Sequence, residues 1–521
     1  MKKDSIKRST IIITMLTLAS SILAFGRESY IAHSFGSTSF TDAYYVASIV
    51  PDMIAGWIGY TLTRALIPSL KKEISNSRES SSYLISTSFY LTLFIAAILS
   101  IVAFIYKRGI LGILAPDFGK LQYAVGSELL GIMTIAILFS ALSGILWGVH
   151  NSLENFSYPA LTGVFYNFFY LVSVVLLQKT FGLYSLAIGL VIGTIGRFAI
   201  QFIPLLKSKM ISLKFRIWHN EMSNVFYAMI PIFFSQIVSQ VNQISDRIMA
   251  SGLSQGQLSN LNFASKLGLL PFGLIGGSIA TTLYSRFVTQ NLEKDVPGLK
   301  RLVTLGLGWV SFFGIVVGTG FCFYNQTLIS LFYYSGKFTI EDVFISAKPL
   351  TVYGLFAVIY LFIPILVHFF YARNEGKFIL YSSAIAVMIN VCLSFNLVNY
   401  LGIVGLVLAN AVAQLIYVII LYYKMIKRLQ WSFRSSIKEL LNTGALAGIA
   451  FLIGVSIVSL AWPQPVLENK LAIALRGFIG LIVGCISILI YCKLNPKKPI
   501  SNFILNMLNK ILGFIKGLIT R

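Results

Sequence analysis

The sequence is poor in the residue types on which most enzymes and metal proteins depend. Its 521 residues include 4 cysteines, 4 histidines and 18 acidic residues. The cysteines lie inside or at the edge of apolar runs and form no CxxC pair, which argues against a disulfide framework or a metal site. The histidines are scattered without metal or triad spacing, and the loops are short. We therefore expect no catalytic residue, metal or cofactor, and we judge a polysaccharide polymerase or acyltransferase a weak hypothesis.

Charged residues are also scarce, and long runs of apolar residues are frequent. Only 11% of the residues are charged and 56% are hydrophobic, whereas about a quarter of a soluble domain is charged. Apolar stretches of roughly 20 residues, the length that spans a bilayer, recur along the chain. In lipid, each backbone N–H and C=O must be hydrogen-bonded within its own segment, which favours helices. The runs also lack the alternation of polar and apolar residues that is typical of a β-barrel, so we predict that they are helices.

The sequence thus predicts an all-α polytopic membrane protein with about 14 transmembrane helices. The predicted spans are 11–35, 42–68, 83–106, 125–149, 159–180, 183–206, 224–248, 258–284, 302–324, 347–371, 378–398, 402–424, 440–462 and 471–493.

The net charge of +23 is concentrated in alternate short loops. This distribution is typical of the positive-inside rule and of contact with anionic lipids, so we expect no nucleic-acid partner. It predicts a multi-pass membrane protein with both termini in the cytoplasm. The first apolar run carries Arg27 and Glu28 and lacks a small-residue cleavage site, so we interpret it as a retained helix.

A weak internal repeat divides the spans. Pro51, Gly56 and Thr61 recur 220 residues later as Pro271, Gly276 and Thr281. The copies lie six predicted spans apart, so both halves insert in the same orientation, a transporter architecture with the substrate site between halves. The predicted domains are an N-lobe (1–206), a C-lobe (207–425), two further helices (426–493) and a cytoplasmic amphipathic tail (494–521).

The tail pattern predicts a helix lying in the cytoplasmic interface, with a helix packed beneath the bundle as the alternative. Its apolar face would consist of Ile500, Phe503, Ile504, Met507, Leu508, Ile511, Leu512 and Ile515.

Basic residues inside predicted spans are candidate site residues, because charge is costly in lipid. Arg27 lies deep in the first span, which favours a cavity, and Glu28 is its candidate partner. Arg197 and Lys266 each fit either a cavity or a snorkelling anchor. Arg64, one turn from the predicted inner end of its span, fits an anchor better.

Acidic residues and prolines complete the candidate set. Asp42 is predicted to lie near the start of the second helix, with Thr41 as cap. Asp246 and its neighbour Arg247 fit a mutually neutralising pair. Glu28, Asp42 and Asp246 are the candidate gating or charge partners, and Pro51, Pro159 and Pro271 are the candidate hinges. A cavity rich in arginine suits an anion, above all a diphosphate, whose oxygens match the guanidinium fork.

Several stretches resemble the MviN/MurJ family of lipid flippases, a branch of the MOP exporter superfamily. The resemblance runs in order over about residues 10–425. It is carried by RESYIAHSFGSTSFTDAYYVASIVPD (27–52), NSLENFSYPAL (151–161) followed by Asn167, AIGLVIGTIGRFAIQFIPLL (187–206), IPIFFSQIVSQVNQISDRIMASGL (230–253), FASKLGLLPFGLIGGSI (263–279), SGKF (335–338), FFYARNEGK (369–377) and NYLGIVGLVLANAVAQ (399–414).

The resemblance implies two six-helix lobes and two further helices that form a groove for a polyprenyl tail. It also implies translocation of lipid II, an undecaprenyl-diphosphate-linked peptidoglycan precursor, across the bacterial plasma membrane by alternating access. We expect the protein to be a monomer. Arg27, Arg64, Arg197 and Lys266 would then bind the diphosphate.

The chain departs from the family pattern at three places. Ser20-Ser21 stands for the usual Ser-Arg, Ala55 for an arginine and Ser265-Lys266 for Asp-Arg. Two alternatives therefore stay open: a flippase for an exopolysaccharide or O-antigen repeat unit, and a small-solute antiporter of the same superfamily.

Overall fold

The structure, a computed structural model, describes residues 3–208, 210–211, 219–461 and 470–508. Over these residues the chain is helical and contains no strand. The first helices are α1 (Lys3–Phe35), α2 (Ser39–Asn76), α3 (Arg78–Ile105), α4 (Lys107–Leu114), α5 (Lys120–Ser152), α6 (Ser157–Phe181), α7 (Tyr184–Lys207) and α8 (Met222–Ser251).

The remaining helices follow after a short turn. They are α9 (Gln257–Pro271), α10 (Gly277–Leu292), α11 (Val296–Phe323), α12 (Asn325–Tyr333), α13 (Ile340–Leu355), α14 (Ala357–Ala372), α15 (Gly376–Leu401), α16 (Ile403–Arg428), α17 (Phe433–Leu440), α18 (Leu446–Ala461) and α19 (Lys470–Leu494). Two π-helical turns, Phe272–Gly276 and Leu441–Ala445, join α9 to α10 and α17 to α18.

Each predicted span coincides with a helix or a broken helix. Among the described residues, nine helices are long and apolar enough to cross a membrane, or ten if α13 and α14, bent by 52°, form one span. The predicted class, an all-α multi-span membrane protein, is confirmed. The count of fourteen spans is compatible with these helices and stays a prediction.

Local sequence sets several helix ends. Thr38 caps α2 by accepting a hydrogen bond from the Thr41 backbone N–H. Thr339 and Asp342 form a reciprocal capping box at the start of α13. The prediction that Thr41 caps the second helix is therefore wrong, because the helix begins one turn earlier.

The chain forms two compact units. The first contains Met1–Ser259 with Gly336–Phe338, and the second contains Asn260–Ser335 with Thr339–Arg521. The first therefore includes α8, which packs against α2. The lobe boundary predicted at residue 206 from the repeat stays a prediction.

The first unit is built around the crossing of α2 and α5. A Cβ placed on Gly144 would lie 2.6 Å from the Cα of Gly59, so the two backbones touch there. One turn further, Gly148 lies against Thr63, whose hydroxyl donates to the Gly144 carbonyl. Small residues allow such close approach between membrane helices, where packing replaces the hydrophobic effect as the main attraction.

The three candidate hinge prolines occupy different positions. Pro271 ends α9 and is followed directly by a π-helical turn, a common irregularity after the loss of a backbone N–H. Pro51 lies within α2, which continues through it as α-helix. Pro159 lies in the first turn of α6, where a proline is tolerated.

The start of the predicted tail packs on the second unit. Residues 499–508 are helical, Ile500 is buried, and Ile504 and Leu505 pack against a cluster from α11, α18 and α19. Phe503 makes an edge contact with Trp309 at 5.0 Å between ring centroids. The alternative prediction for the tail, a helix packed against the other helices, therefore applies to residues 499–508. Residues 509–521 lie outside the described part of the chain, including the predicted apolar positions from Ile511 onward.

Candidate functional site

A cavity of about 420 Å³ lies within the first unit, between α2, α5, α6 and α7. Glycines and Ala55 on α2, with Gly144 on α5, leave the space open. The lining residues are Asp52, Ala55, Gly56, Gly59, Thr63, Arg64, Ser140, Ser143, Gly144, Trp147, Thr162 and Arg197. The cavity therefore combines both signs of charge with hydroxyl groups and one indole.

Two of the predicted cations, Arg64 and Arg197, line this cavity together. Arg197 Nη2 donates to Ser140 Oγ at 2.7 Å, and the guanidinium carbon lies 5.2 Å from the ring centroid of Tyr166. The Nε of Arg197 is buried and has no hydrogen-bond partner among the described residues. Its guanidinium thus keeps unused donor capacity.

Arg64 was predicted to lie one turn from the inner end of its span and to fit an anchor, and that role stays a prediction. The helix that carries it continues to Asn76, so Arg64 lies about three turns before the end. The last turns of α2 contain Lys71 and Lys72, whose charge ended the predicted span at residue 68. Arg64 is exposed and faces the cavity rather than the end of the helix.

Arg27 is buried behind the cavity wall and is absent from the lining. Its Nη1 donates to Asn167 Oδ1 at 2.9 Å and its Nη2 to Glu28 Oε1 at 2.7 Å. The guanidinium carbon lies 4.7 Å from the ring centroid of Tyr170 and 5.5 Å from that of Tyr166. The predicted pairing of Arg27 with Glu28 is present within α1, and the bond from Arg27 to Asn167 links α1 to α6.

One aromatic ring therefore contacts both arginines. Tyr166 lies on α6 beside Arg27 and also beside Arg197. Glu28 is held from a second side by the hydroxyl of Tyr45, which donates to Oε2 at 3.0 Å. The buried Arg27 network thus continues to the cavity wall through Tyr166.

Asp52 is a cavity residue that the sequence reasoning missed. It follows Pro51 on α2 and lines the cavity with Arg64 and Arg197. The signal was present, because Asp52 is an acidic residue inside a predicted span, where ionisable groups are usually functional. The hydroxyls of Ser140 and Ser143 were also missed, since serine carries no pattern of its own.

Asp42 binds backbone and hydroxyl donors at the start of α9. Its Oδ2 accepts from Gly256 N at 2.6 Å, and its Oδ1 accepts from Ser259 N at 2.7 Å and Ser259 Oγ at 2.5 Å. A carboxylate with three donors is well satisfied although it is buried. Asp42 therefore acts as a cap for a helix distant in sequence.

The remaining candidates lie elsewhere. Lys266 lies on α9 in the second unit, where its side chain is exposed and the neighbouring Ser265 hydroxyl lies 3.1 Å from the Tyr353 hydroxyl. Asp246 and Arg247 lie near the end of α8, both half-buried. A role for any of these residues in substrate binding or gating stays a prediction.

Solved structures share this fold. A structure described as an inward-facing conformation of a multidrug resistance MATE family transporter of the MOP superfamily matches with a TM-score of 0.68 at 14% identity, covering 81% of this chain and 98% of that chain. A structure of the lipid II flippase MurJ in an inward closed conformation matches with a TM-score of 0.80 at 24% identity, covering 93% and 99%. This chain thus shares one fold with the MurJ structure and the MATE family transporter structure.

Comparison of the sequence with known proteins identifies the family more specifically than the shared fold does. The model of the lipid II flippase MurJ family matches residues 31–464. The probable lipid II flippase MurJ of Buchnera aphidicola subsp. Schizaphis graminum is 28% identical over 439 residues, 81% of this chain and 84% of the relative. The lipid II flippase MurJ of Burkholderia cenocepacia is 25% identical over 438 residues, with the same coverage. The chain belongs to the lipid II flippase MurJ family, a family of transporters, as the resemblance predicted.

Proposed function

We propose that the chain translocates lipid II from the inner to the outer leaflet by alternating access and so supplies peptidoglycan synthesis. Family membership supports the substrate class. The observation that carries the proposal is the cavity in which Arg64 and Arg197 lie together with hydroxyl groups. Such a cavity matches a substrate that joins a diphosphate to sugars.

The cations supply the attraction for the diphosphate. A guanidinium engages two phosphate oxygens at once, and the Arg197 guanidinium is already oriented by its bond to Ser140. A hydrogen bond to a charged group contributes about 1.5–3 kcal/mol. Ser143 and Thr162 offer hydroxyls to the sugar portion, and Trp147 offers a flat apolar face.

Arg27 acts in this proposal as a positioning residue. Its contacts to Asn167 and Tyr166 hold α1 against α6 and fix the ring on which Arg197 rests, while Glu28 orients the guanidinium. Lys266 is proposed to add a cation from the C-lobe. Asp42 is proposed to act as a gate residue, because its bonds to Gly256 and Ser259 join the start of α2 to the start of α9.

The rest of the organisation is proposed on the same basis. The protein is a monomer of the bacterial plasma membrane with both termini in the cytoplasm, and it has no catalytic activity. Two six-helix lobes, about 1–206 and 207–425, alternate around the substrate, and α18 and α19 hold the polyprenyl tail. Many apolar side chains on α18 and α19, such as Ile457, Leu460 and Phe478, are exposed, which suits contact with lipid.

A second candidate substrate is a different polyprenyl-diphosphate-linked saccharide. Ala55 lines the cavity where the family usually has arginine, and Asp52 adds a negative charge to the same wall. A cavity with less net positive charge is suited to a headgroup that carries less negative charge than that of lipid II.

Complementation in a bacterium depleted of its own lipid II flippase tests the proposal. We expect growth without accumulation of lipid II. Arg64→Gln and Arg197→Gln should each lower the transport rate by roughly 10- to 100-fold, because each removes a charged hydrogen-bond donor. The control is Arg108→Gln, which removes the same charge from an exposed position on α4 outside the cavity.

The outcomes separate the candidates. No growth with well-expressed wild-type protein would contradict lipid II as substrate and favour the second saccharide. Normal transport by both cavity variants would contradict the cavity as the diphosphate site, whatever the substrate.

A further inference from the structure

A second charged cavity lies on the second unit, at the start of α15 and the end of α16. Its volume is about 700 Å³, and its lining residues are Phe378, Ile419, Ile420, Tyr423, Lys424, Lys427 and Arg428. One half of the lining is therefore aliphatic or aromatic and the other half is cationic. We call this site the α15–α16 pocket.

The basic side chains at the pocket outnumber the acidic side chain that pairs with them. The carboxylate of Glu375 lies 3.2 Å from Arg373 Nε, 3.2 Å from Arg428 Nε and 3.8 Å from Lys424 Nζ. Three cations thus share one acid, and Lys427 lines the same cavity as a fourth cation. Glu375 is held in a tight turn between α14 and α15, where Asn374 has a φ of 58°.

The apolar half of the pocket is open to its surroundings. Ile419 is 56% exposed and Tyr423 is 67% exposed, on a helix long and apolar enough to span a membrane. The Lys424 ammonium lies 3.7 Å from the ring centroid of Phe378, which places a cation directly beside an apolar surface. Across Ile419 lies a smaller apolar cavity of about 250 Å³, between α14, α16 and α17.

We propose that the α15–α16 pocket binds one anionic phospholipid. Its phosphate contacts Lys424, Lys427 and Arg428 at the last turns of α16, and its acyl chains lie along Ile419, Ile420 and Phe378. A soluble anion would use only the cationic half, whereas a phospholipid matches both halves. Basic pockets beside membrane helices at the cytoplasmic side are typical of headgroup recognition.

Native mass spectrometry of the purified full-length protein tests this proposal. Phosphatidylglycerol and phosphatidylcholine with identical chains are titrated separately. We expect phosphatidylglycerol to bind at least about tenfold more tightly, and the triple variant Lys424→Gln, Lys427→Gln, Arg428→Gln to lose about that factor. Equal affinity for the two lipids, or an unchanged triple variant, would overturn the proposal.

Two controls separate specific binding from surface charge. The triple variant Lys377→Gln, Arg434→Gln, Lys438→Gln removes three cations outside the lining of the pocket, and it should bind phosphatidylglycerol like the wild type. Inorganic phosphate at the lipid concentration should not displace the lipid. Displacement by phosphate, or an equal loss in the control variant, would contradict an amphipathic site.

Glu375→Gln tests the proposal without removing a cation, because it should change the affinity for phosphatidylglycerol in the opposite direction. It frees Arg373, Lys424 and Arg428 from their shared carboxylate, so the affinity for phosphatidylglycerol should rise, by roughly fivefold. If the cations serve only to bind Glu375 and staple the turn to α16, the affinity will not rise. That result would contradict the proposal even if the triple variant failed to fold.

Discussion

Replacing Gly144 by alanine is expected to destabilise the first unit through the crossing of α2 and α5. The new Cβ would lie 2.6 Å from the Cα of Gly59 and 3.1 Å from its carbonyl carbon. Carbon atoms in ordinary contact are about 3.5–4.0 Å apart, so the helices must separate by about 1 Å locally. Both obstructing atoms are backbone, and no side chain can rotate away.

The cost should be about 1–3 kcal/mol, the usual range for overpacking a tight core. Gly59→Ala should be milder, because its Cβ would lie 3.2 Å from the Cα of Gly144. Gly26→Ala is the matched control, since nothing lies within 4 Å of its Cβ and alanine favours a helix. Neither Gly59 nor Gly144 has a positive φ, so only space is tested.

The assay is thermal unfolding of the purified protein in detergent, followed by tryptophan fluorescence at one scan rate, because unfolding of such proteins is often irreversible. The expected order of Tm is Gly26→Ala equal to or above wild type, then Gly59→Ala, then Gly144→Ala. An unchanged Tm for Gly144→Ala, or a larger loss for Gly59→Ala, would refute the reasoning.

Three further predictions concern the ion pairs and caps. Arg27→Ala should lower the free energy of unfolding by about 3–5 kcal/mol, because it leaves the carboxylate of Glu28 buried and unpaired. The double variant Arg27→Ala, Glu28→Gln should regain part of the lost stability, and denaturant titrations measure both effects. Asp42→Asn should lower stability by about 1–3 kcal/mol, since it weakens three charge-assisted hydrogen bonds, and an unchanged Tm would contradict its role as a cap. The hydrogen bond from Lys72 lowers the pKa of the Glu221 carboxyl, so the unfolded chain binds more protons near that pKa. The Tm advantage of wild type over Glu221→Gln should therefore be present near pH 7, small because the pair meets solvent, and lost as the pH falls below about 4; an advantage that persists in acid would contradict it.

The architecture could be predicted from the sequence because the bilayer acts on length and polarity alone. A run of about 20 apolar residues is visible without any tertiary contact, and each predicted span became a helix or a broken helix. The ends were less accurate where polar residues continue a helix. The second span was predicted to end at residue 68, whereas α2 continues as a helix to Asn76.

The site was only partly predictable because its residues are brought together by packing. The cations were visible as costly charges, but Arg64 on α2 and Arg197 on α7 line one cavity because both helices pack against α5. The burial of Arg27 depends on tyrosines of α2 and α6, which look like ordinary apolar residues of a span. Nothing in a single sequence gives the distance between two faces of different helices.

Asp52 has a consequence for how a carrier releases its cargo. It lines the same cavity as Arg64 and Arg197, so a carboxylate borders the space in which the two guanidinium groups lie. Under the proposed function, this carboxylate repels the bound diphosphate while the cations attract it, and the affinity is lower than two cations alone would give. A carrier that must release its lipid at the far leaflet benefits from that lower affinity.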